Sequence, residues 1–357
     1  MKIFERMAQE GHEQLIFCYD KSTGLRAIIA IHDTTLGPAT GGCRMYIYDT
    51  EEEAIEDVLR LSKAMTFKIA AAGLNLGGGK CIIWGDPPTE KCEALFRSLG
   101  RFINTLGGRF ITGTDLGTVN EDFVWARQET PYVCALPEEY GGSGDTAVIT
   151  AYGVWHGLKA AANWCWGSES LQGKRVAIQG VGKVGCHLIN YLQHDGAECI
   201  ISDTEPKRIE VVKGSYKDMM VVEPERIYDI DCHIFSPNAI GGILNDRTIP
   251  RLKCQVIGGA ANNQLAEPIH GDMLRERGIL YCPDFVINSG GLIQVADEQQ
   301  GFNRERAFRK AANIYLRLME IFRISKERNI STYNTAIQLA QERIQAIQGL
   351  KHIYAAH

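Results

Sequence analysis

An α/β fold in two domains is what the sequence predicts, on three observations. The chain has 357 residues, room for two domains of ordinary size. Short apolar runs alternate with amphipathic stretches of helical period. A G-x-G-x-x-G run in the second half sits between an apolar strand and a helix. Composition excludes several other classes. Hydrophobic residues make up 45% and charged residues 23%, the proportions of a globular chain that folds in water. A net charge of −5 gives no basic footprint for nucleic acid. No apolar run is long enough to span a bilayer, and the opening M-K-I-F-E-R-M-A-Q-E lacks the apolar core of a signal peptide. The eleven cysteines are scattered singly, with no C-x-x-C pair to suggest a zinc or redox site. Cys81, Cys199 and Cys232 fall inside apolar runs and read as small buried hydrophobes. The expectation is a cytoplasmic protein without a metal, a membrane or a nucleic-acid partner.

In chain order, the runs 13–20 and 24–33 are apolar strands, joined by Lys21-Ser22-Thr23-Gly24 as a hairpin turn. Residues 37–42, G-P-A-T-G-G, read as a connecting loop, although its backbone N–H groups could face an anion. Residues 51–72 have helical period, with Ala54, Ile55, Val58, Leu59, Ser62 and Met65 on one face. Three glutamates open that helix, where the dipole favours them, and Lys68 lies near its end. Then comes Leu76-Gly77-Gly78-Gly79-Lys80-Cys81. Three glycines permit a sharp turn and a close backbone approach. Taken alone they read as a tight turn ending in a solvated lysine, but a lysine lifted out of water at such a turn becomes a base. Residues 80–84 form a strand, 91–106 a second amphipathic helix and 109–112 a short strand. That strand feeds Gly113-Thr114-Asp115-Leu116-Gly117. Asp115 there is either a functional carboxylate past a strand end or the cap of a helix near Asn120.

In the second half, residues 174–179 are a strand that runs into Gly180-Val181-Gly182-Lys183-Val184-Gly185. A helix follows to about residue 193, then a strand over 197–202, which ends at Asp203. Strand, glycine loop, helix and acidic residue in that order form the dinucleotide-binding fingerprint of the Rossmann fold. The glycines admit a pyrophosphate to the helix N-terminus. Asp203 would bond the ribose hydroxyls and repel a 2′-phosphate, which favours NAD over NADP; Lys207 and Arg208 nearby temper that preference. Apolar runs at 232–236, 254–258 and 279–282 continue a doubly wound sheet. Beyond their C-terminal ends lie Ala239, Asn262 and the stretch 284–291, where ligands of such sheets bind. Asn262 is either a ligand-bonding amide or a turn asparagine. Two long helices, about 304–328 and 331–348, close the chain, with Ser331 placed to cap the second.

Several motifs carry a family resemblance. They are G-P-A-T-G-G-C-R-M (37–45), M-T-F-K (65–68), G-L-N-L-G-G-G-K (73–80), G-T-D-L-G-T (113–118), Q-G-V-G-K-V-G (179–185), G-A-A-N-N-Q-L (259–265) and P-D-F-V-I-N-S-G-G-L-I-Q-V-A-D-E (283–298). With these in this order, the chain resembles the leucine/phenylalanine/valine branch of the amino-acid dehydrogenases, relatives of glutamate dehydrogenase. The resemblance implies a substrate domain with a mixed sheet over residues 1–140, completed by 330–357. It places the NAD-binding Rossmann domain at 141–329, with a cleft between. By matching position, Lys68 would hold the substrate carboxylate with Asn262 and the Gly41–Gly42 loop. Lys80 would be the base that works through a water, and Asp115 would shuttle protons to and from the amine. Thr150 and Asn262 would position the nicotinamide.

The implied reaction converts an L-amino acid, with NAD⁺, to its 2-oxo acid and ammonia. It needs Lys80 neutral, so oxidation is expected to run best at alkaline pH, with Lys68 as the neighbouring cation that pushes Lys80 that way. In this family the side-chain pocket is lined by the residues matching Thr40, Gly113, Leu292 and Val295. Gly113 with Leu292 looks like the phenylalanine enzymes, since a glycine leaves room for a ring; the leucine enzymes usually carry alanine and valine. Thr40 departs from the leucine usual in much of the family. A branched-chain dehydrogenase and a non-catalytic NAD-binding regulator are the alternatives, and the joint presence of Lys68, Lys80 and Asp115 argues against the regulator. The family forms homo-oligomers, and one is expected here.

Overall fold

The computed structural model describes residues 2–216 and 219–349. Residues 350–357, which the resemblance assigns to the substrate domain, lie outside the described residues. The chain divides into two units: the first gathers residues up to 145, 295–303 and those from 340 on, and the second gathers 146–294 and 304–339. It therefore passes from one unit to the other four times.

The first unit is built on a mixed sheet of β1 (Gln14–Asp20), β2 (Leu25–Asp33), β3 (Ala39–Thr40), β4 (Cys43–Tyr46), β5 (Gly77–Trp84) and β6 (Phe110–Ile111). The order is β1-β2-β5-β3-β6, with β4 also on β5. β1, β2 and β5 pair antiparallel, whereas β3, β4 and β6 run parallel to their neighbours. The predicted hairpin forms because the Asp20 carboxylate accepts the Ser22 N–H (2.9 Å) and hydroxyl (2.7 Å) while Gly24 takes φ +76°. β2 reads as a continuous apolar run because both its faces are covered. Leu25, Ala27, Ile29 and Ile31 pack with Phe96, Phe110 and Phe123, and Ile28 and Ala30 pack with Ala54, Ile55, Val58 and Leu59. Those last four are the apolar stripe of the helix Glu51–Ala71, which starts where the Thr50 hydroxyl accepts the Glu53 N–H (3.2 Å). Its other end is tied by Arg343, which donates to the Ala70 and Leu74 carbonyls (3.0 and 2.8 Å). Met65, expected on the buried stripe, is only half-buried; Thr66 is the buried neighbour.

The glycines differ most from expectation. Gly77, Gly78 and Gly79 are not a turn; they are the first three residues of β5. None has a positive φ, so their value is the missing Cβ. A Cβ at Gly77 would strike the Asp33 carbonyl, at Gly78 the Thr66 backbone and hydroxyl, and at Gly79 the Phe110 ring at 2.8 Å. The glycine run lets the helix and the neighbouring strands close on β5. The loop at 37–42 likewise contains a strand, β3.

The second unit is a six-stranded sheet in the order β12-β11-β10-β7-β8-β9. Its strands are β7 (Arg175–Gln179), β8 (Glu198–Ser202), β9 (Met220–Val221), β10 (Ile234–Pro237), β11 (Val256–Ile257) and β12 (Leu280–Tyr281). Every neighbouring pair is parallel, the doubly wound arrangement expected from the fingerprint. The predicted helix over 304–328 is two helices, Arg304–Ala312 and Ile314–Arg328, broken at Asn313. The break seats Ile314 and Leu318 on Gly153 and Gly157, where any Cβ would collide with them at 2.6 and 2.9 Å. Ser331 caps the last helix, Thr332–Gln348, accepting the Asn334 N–H at 3.4 Å.

One buried pair has a consequence for acid stability. His32 is buried between Thr66 Oγ1 (2.8 Å from Nδ1) and the Glu10 carbonyl (3.0 Å from Nε2), with His12 edge-on at 4.7 Å. The carbonyl can only accept, so Nε2 carries the proton and Nδ1 accepts from the hydroxyl. Burial, then His12, lowers its pKa from 6.5 to about 4. The unfolded chain therefore takes up a proton that the fold refuses. Stability is full above about pH 6.5 and falls as the pH drops toward 4, by about 2 kcal/mol at pH 5. His32→Gln should flatten the pH dependence of the urea midpoint in this window, and an unchanged slope would refute the assignment.

Candidate functional site

Lys80 is the fourth residue of β5, paired with Ala30 of β2, and only 5% exposed. Its Nζ lies 2.9 Å from Asp115 Oδ2. Arg44 of β4 reaches the same oxygen through Nε at 3.2 Å, while its Nη1 holds Asp57 at 2.8 Å. Asp57 in turn accepts from the Tyr48 hydroxyl (2.8 Å) and Arg60 (2.7 Å). Burial pushes the Asp115 carboxyl up, but Lys80 and Arg44 more than reverse this, so it lies below its ordinary value. Two cations share Oδ2, and Oδ1 makes no hydrogen bond among the described residues. The carboxylate is thus ionised, oriented and has one oxygen open to an amine. Asp115 is not the cap of the following helix, Asn120–Arg127: Asp122 accepts the Val119 N–H (2.8 Å), and Asp115 donates its own N–H to Thr118 Oγ1 (2.9 Å).

The strands hold this pair in place through glycines. A Cβ at Gly42 would strike the Thr114 carbonyl and stand 2.9 Å from Asp115 Cβ; one at Gly41 would strike the Gly79 carbonyl. In the Gly41–Gly42 loop, the Gly41 N–H is spent on the Ile111 carbonyl (3.2 Å), whereas the Gly42 N–H has no such backbone partner among the described residues. Lys68 stands half-buried in the last turn of the helix that Gly78 admits to the sheet. Thr40 is buried, its hydroxyl 3.4 Å from the Pro38 carbonyl. At Gly113 the space is already filled: a Cβ would meet the Cys134 carbonyl at 2.9 Å, Ala135 Cβ at 3.1 Å and Cys134 Sγ at 3.2 Å. The glycine therefore brings the segment 134–135 close rather than leaving a vacancy on that side.

In the second unit, Gly180 takes φ +91° with Ala239 packed on it, and Gly185 sits against the Gly180 carbonyl. Gly182, at the start of the helix Lys183–His194, has nothing within 4 Å of its Cβ position. That open face lets a pyrophosphate reach the helix N-terminus, so the loop fits a dinucleotide. Val181 donates its N–H to Asp203 Oδ2 (2.8 Å) and Glu205 to Oδ1 (2.9 Å), and Arg208 lies 3.6 Å away. Asp203 thus also braces the glycine loop. Thr150 donates its hydroxyl to the Thr146 carbonyl (2.8 Å). Asn262 accepts from Asn288 Nδ2 at 2.8 Å, which turns its own NH₂ group away from Asn288. Leu292 and Val295 are half-buried, three residues apart on the helix Gly290–Asp297.

Sequence reasoning named Lys80 and Asp115, and the structure brings them together. It did not single out Arg44, Cys134, Ala135, Asn288 or Glu298; the arginine stands inside the quoted G-P-A-T-G-G-C-R-M motif, the one local signal that could have found it. Among the described residues no cluster of three or more histidine, cysteine, aspartate or glutamate side chains could hold a metal, and no helix is long and apolar enough to cross a membrane.

Residues 12–132 match the family described as Glu/Leu/Phe/Val dehydrogenase, dimerisation domain; residues 141–206 and 201–355 match Glutamate/Leucine/Phenylalanine/Valine dehydrogenase. The chain is 53% identical over 350 residues to the leucine dehydrogenase of Geobacillus stearothermophilus, covering 98% of this chain and 95% of that one. It is 50% identical over 352 residues to the phenylalanine dehydrogenase of Thermoactinomyces intermedius, covering 98% and 96%. The crystal structure of L-tryptophan dehydrogenase from Nostoc punctiforme is similar with a TM-score of 0.87 and 45% identity, over 97% of this chain and 99% of that one.

Proposed function

The chain belongs to the Glu/Leu/Phe/Val dehydrogenase family of NAD-dependent amino-acid dehydrogenases, and on that premise we propose that its substrate is L-phenylalanine or another aromatic L-amino acid, deaminated to the 2-oxo acid and ammonia. The observation that carries the chemistry is the buried Lys80–Asp115 contact at 2.9 Å. Bound NAD⁺ supplies one thing, acceptance of the hydride from the substrate α-carbon. Lys68 holds the substrate carboxylate as a fixed cation, with the Gly42 N–H beside it. Asp115 Oδ1 takes a proton from the substrate amine, which frees the lone pair that hydride loss requires. Lys80, once its own proton has been released, takes a proton from water as that water adds to the imino carbon. Asp115 then returns its proton to the nitrogen of the carbinolamine; as the C–N bond breaks, the hydroxyl proton is released to solvent, which leaves the 2-oxo acid and ammonia. In the second unit, Thr150 and the Asn262 NH₂ group position the nicotinamide, Gly180, Gly182 and Gly185 admit the pyrophosphate, and Asp203 holds the adenosine ribose.

Residue types support the aromatic reading: Gly113 and Leu292 match the phenylalanine enzymes at the positions that the resemblance assigns to the side-chain pocket, together with Thr40 and Val295. A second reading, a leucine or valine dehydrogenase, is favoured by the 53% identity to a leucine enzyme. The test is initial-rate NADH formation at alkaline pH with L-phenylalanine, L-tryptophan and L-leucine in parallel. Phenylalanine or tryptophan ahead of leucine by about tenfold in kcat/KM upholds the aromatic reading; leucine ahead overturns it and leaves the chemistry standing. We further propose a homo-oligomer, since the matched N-terminal family is a dimerisation domain and Phe17 and Tyr19 stand exposed on β1 at the sheet edge.

A further inference from the structure

We propose that Ala135, clamped by the Glu298 carboxylate, is a specificity-determining residue that sets how far the wall behind Gly113 stands from the substrate side chain. This rests on the reading that Gly113 lines the side-chain pocket. The geometry is specific. Ala135 takes φ +57°, a left-handed conformation that a residue with a Cβ adopts only when its surroundings hold it there. Both its peptide groups are held: the N–H donates to Glu298 Oε2 (2.9 Å), and the carbonyl accepts from Asn120 Nδ2 (2.7 Å). Its neighbour Cys134 donates its N–H to the Thr112 carbonyl at 2.8 Å, next to Gly113.

The other Glu298 oxygen accepts the Ser143 N–H (2.9 Å) and the Ser143 hydroxyl. Glu298 thus ties the segment 134–143 to the turn that begins three residues after Val295. An ionised carboxylate that accepts several donors is a firm anchor. Burial pushes the Glu298 carboxyl above its ordinary value, against those same hydrogen bonds.

The position of the wall is therefore a property of three residues. A methyl added at Gly113 lands 3.1 Å from Ala135 Cβ and 2.9 Å from the Cys134 carbonyl. It cannot settle without moving the segment that Glu298 holds. The strain returns toward the substrate, and selectivity shifts away from rings. Removing the Ala135 methyl relieves the 3.1 Å contact and leaves space for the 134–135 backbone, Cys134 carbonyl included, to shift away from the added methyl; glycine also suits φ +57° without strain.

The experiment is a double-mutant cycle of Gly113→Ala, Ala135→Gly and the double variant, read as the ratio of kcat/KM for L-phenylalanine to that for L-leucine. Gly113→Ala should shift the ratio toward leucine by about tenfold or more. The double variant should return to within about threefold of wild type, a non-additivity expected only of residues in contact. Glu298→Gln, which sets an NH₂ group against backbone donors, is the second arm. In the Gly113→Ala background it should recover the ratio in part, through KM rather than kcat. A purely structural Ala135 would change both substrates alike and leave the ratio untouched. If Gly113→Ala shifts the ratio and neither Ala135→Gly nor Glu298→Gln restores any of it, the proposal falls while the pocket reading stands. If Gly113→Ala itself leaves the ratio unchanged, the pocket reading falls and takes the proposal with it.

Discussion

Replacing Lys80 with methionine is expected to lower kcat by about 10³-fold or more, in both reaction directions, while NADH binding stays within about twofold of wild type. Methionine keeps the apolar stem at the buried middle of β5 and removes only the amine. Asp115 then keeps Arg44 as its partner at 3.2 Å, so its carboxylate stays ionised and oriented. What is lost is the amine proposed to take the proton from the attacking water. The cofactor loop at 180–185 belongs to the other unit, so its affinity for NADH, read by fluorescence titration, provides the internal control. A kcat within tenfold of wild type would remove Lys80 from the base role. A parallel loss of NADH binding would show that the variant had damaged more than the site.

The second large effect is on folding. Gly78→Ala is expected to cost about 3 kcal/mol or more, enough that the first unit fails to form. The added methyl would strike Thr66 backbone atoms inside the helix Glu51–Ala71. A flexible side chain could swing away; a helix backbone can only be displaced as a whole. That displacement would pull Val58 and Leu59 from Ile28 and Ala30 and carry Lys68 off with its last turn. Thermal melting followed by circular dichroism checks this, and a melting temperature within about 2 °C of wild type would refute it.

What could be read from the sequence follows from how local each contact is. The Rossmann half was legible because its signal is contiguous: strand, glycine loop, helix and Asp203 fall within thirty positions or so of one another. The reaction class was legible because Lys68, Lys80 and Asp115 stand in quoted motifs. The glycine run was misread because sequence shows a missing Cβ but not what takes its place. Turn glycines and close-packed strand glycines look alike until Thr66 and Phe110 are seen against them. Arg44 and Asp115 are 71 residues apart, and Glu298 and Ala135 are 163 apart; Arg44 and Glu298 stand in the motifs at 37–45 and 283–298, but no local pattern says which residue each reaches. The break at Asn313 escaped for a related reason, since it answers to glycines on another helix, Gly153 and Gly157.

The four passages between units bear on descent and on engineering. Neither unit is one uninterrupted stretch of gene. A single recombination crossover inside the long segment 146–294 leaves both units hybrid, with segments from different parents required to fit in one core. Glu298 would then meet a foreign 134–143 segment, and Arg343 a foreign helix end. Inheritance should favour the halves travelling together, and a laboratory swap of the nucleotide half alone requires four matched junctions, near residues 145, 294, 303 and 339.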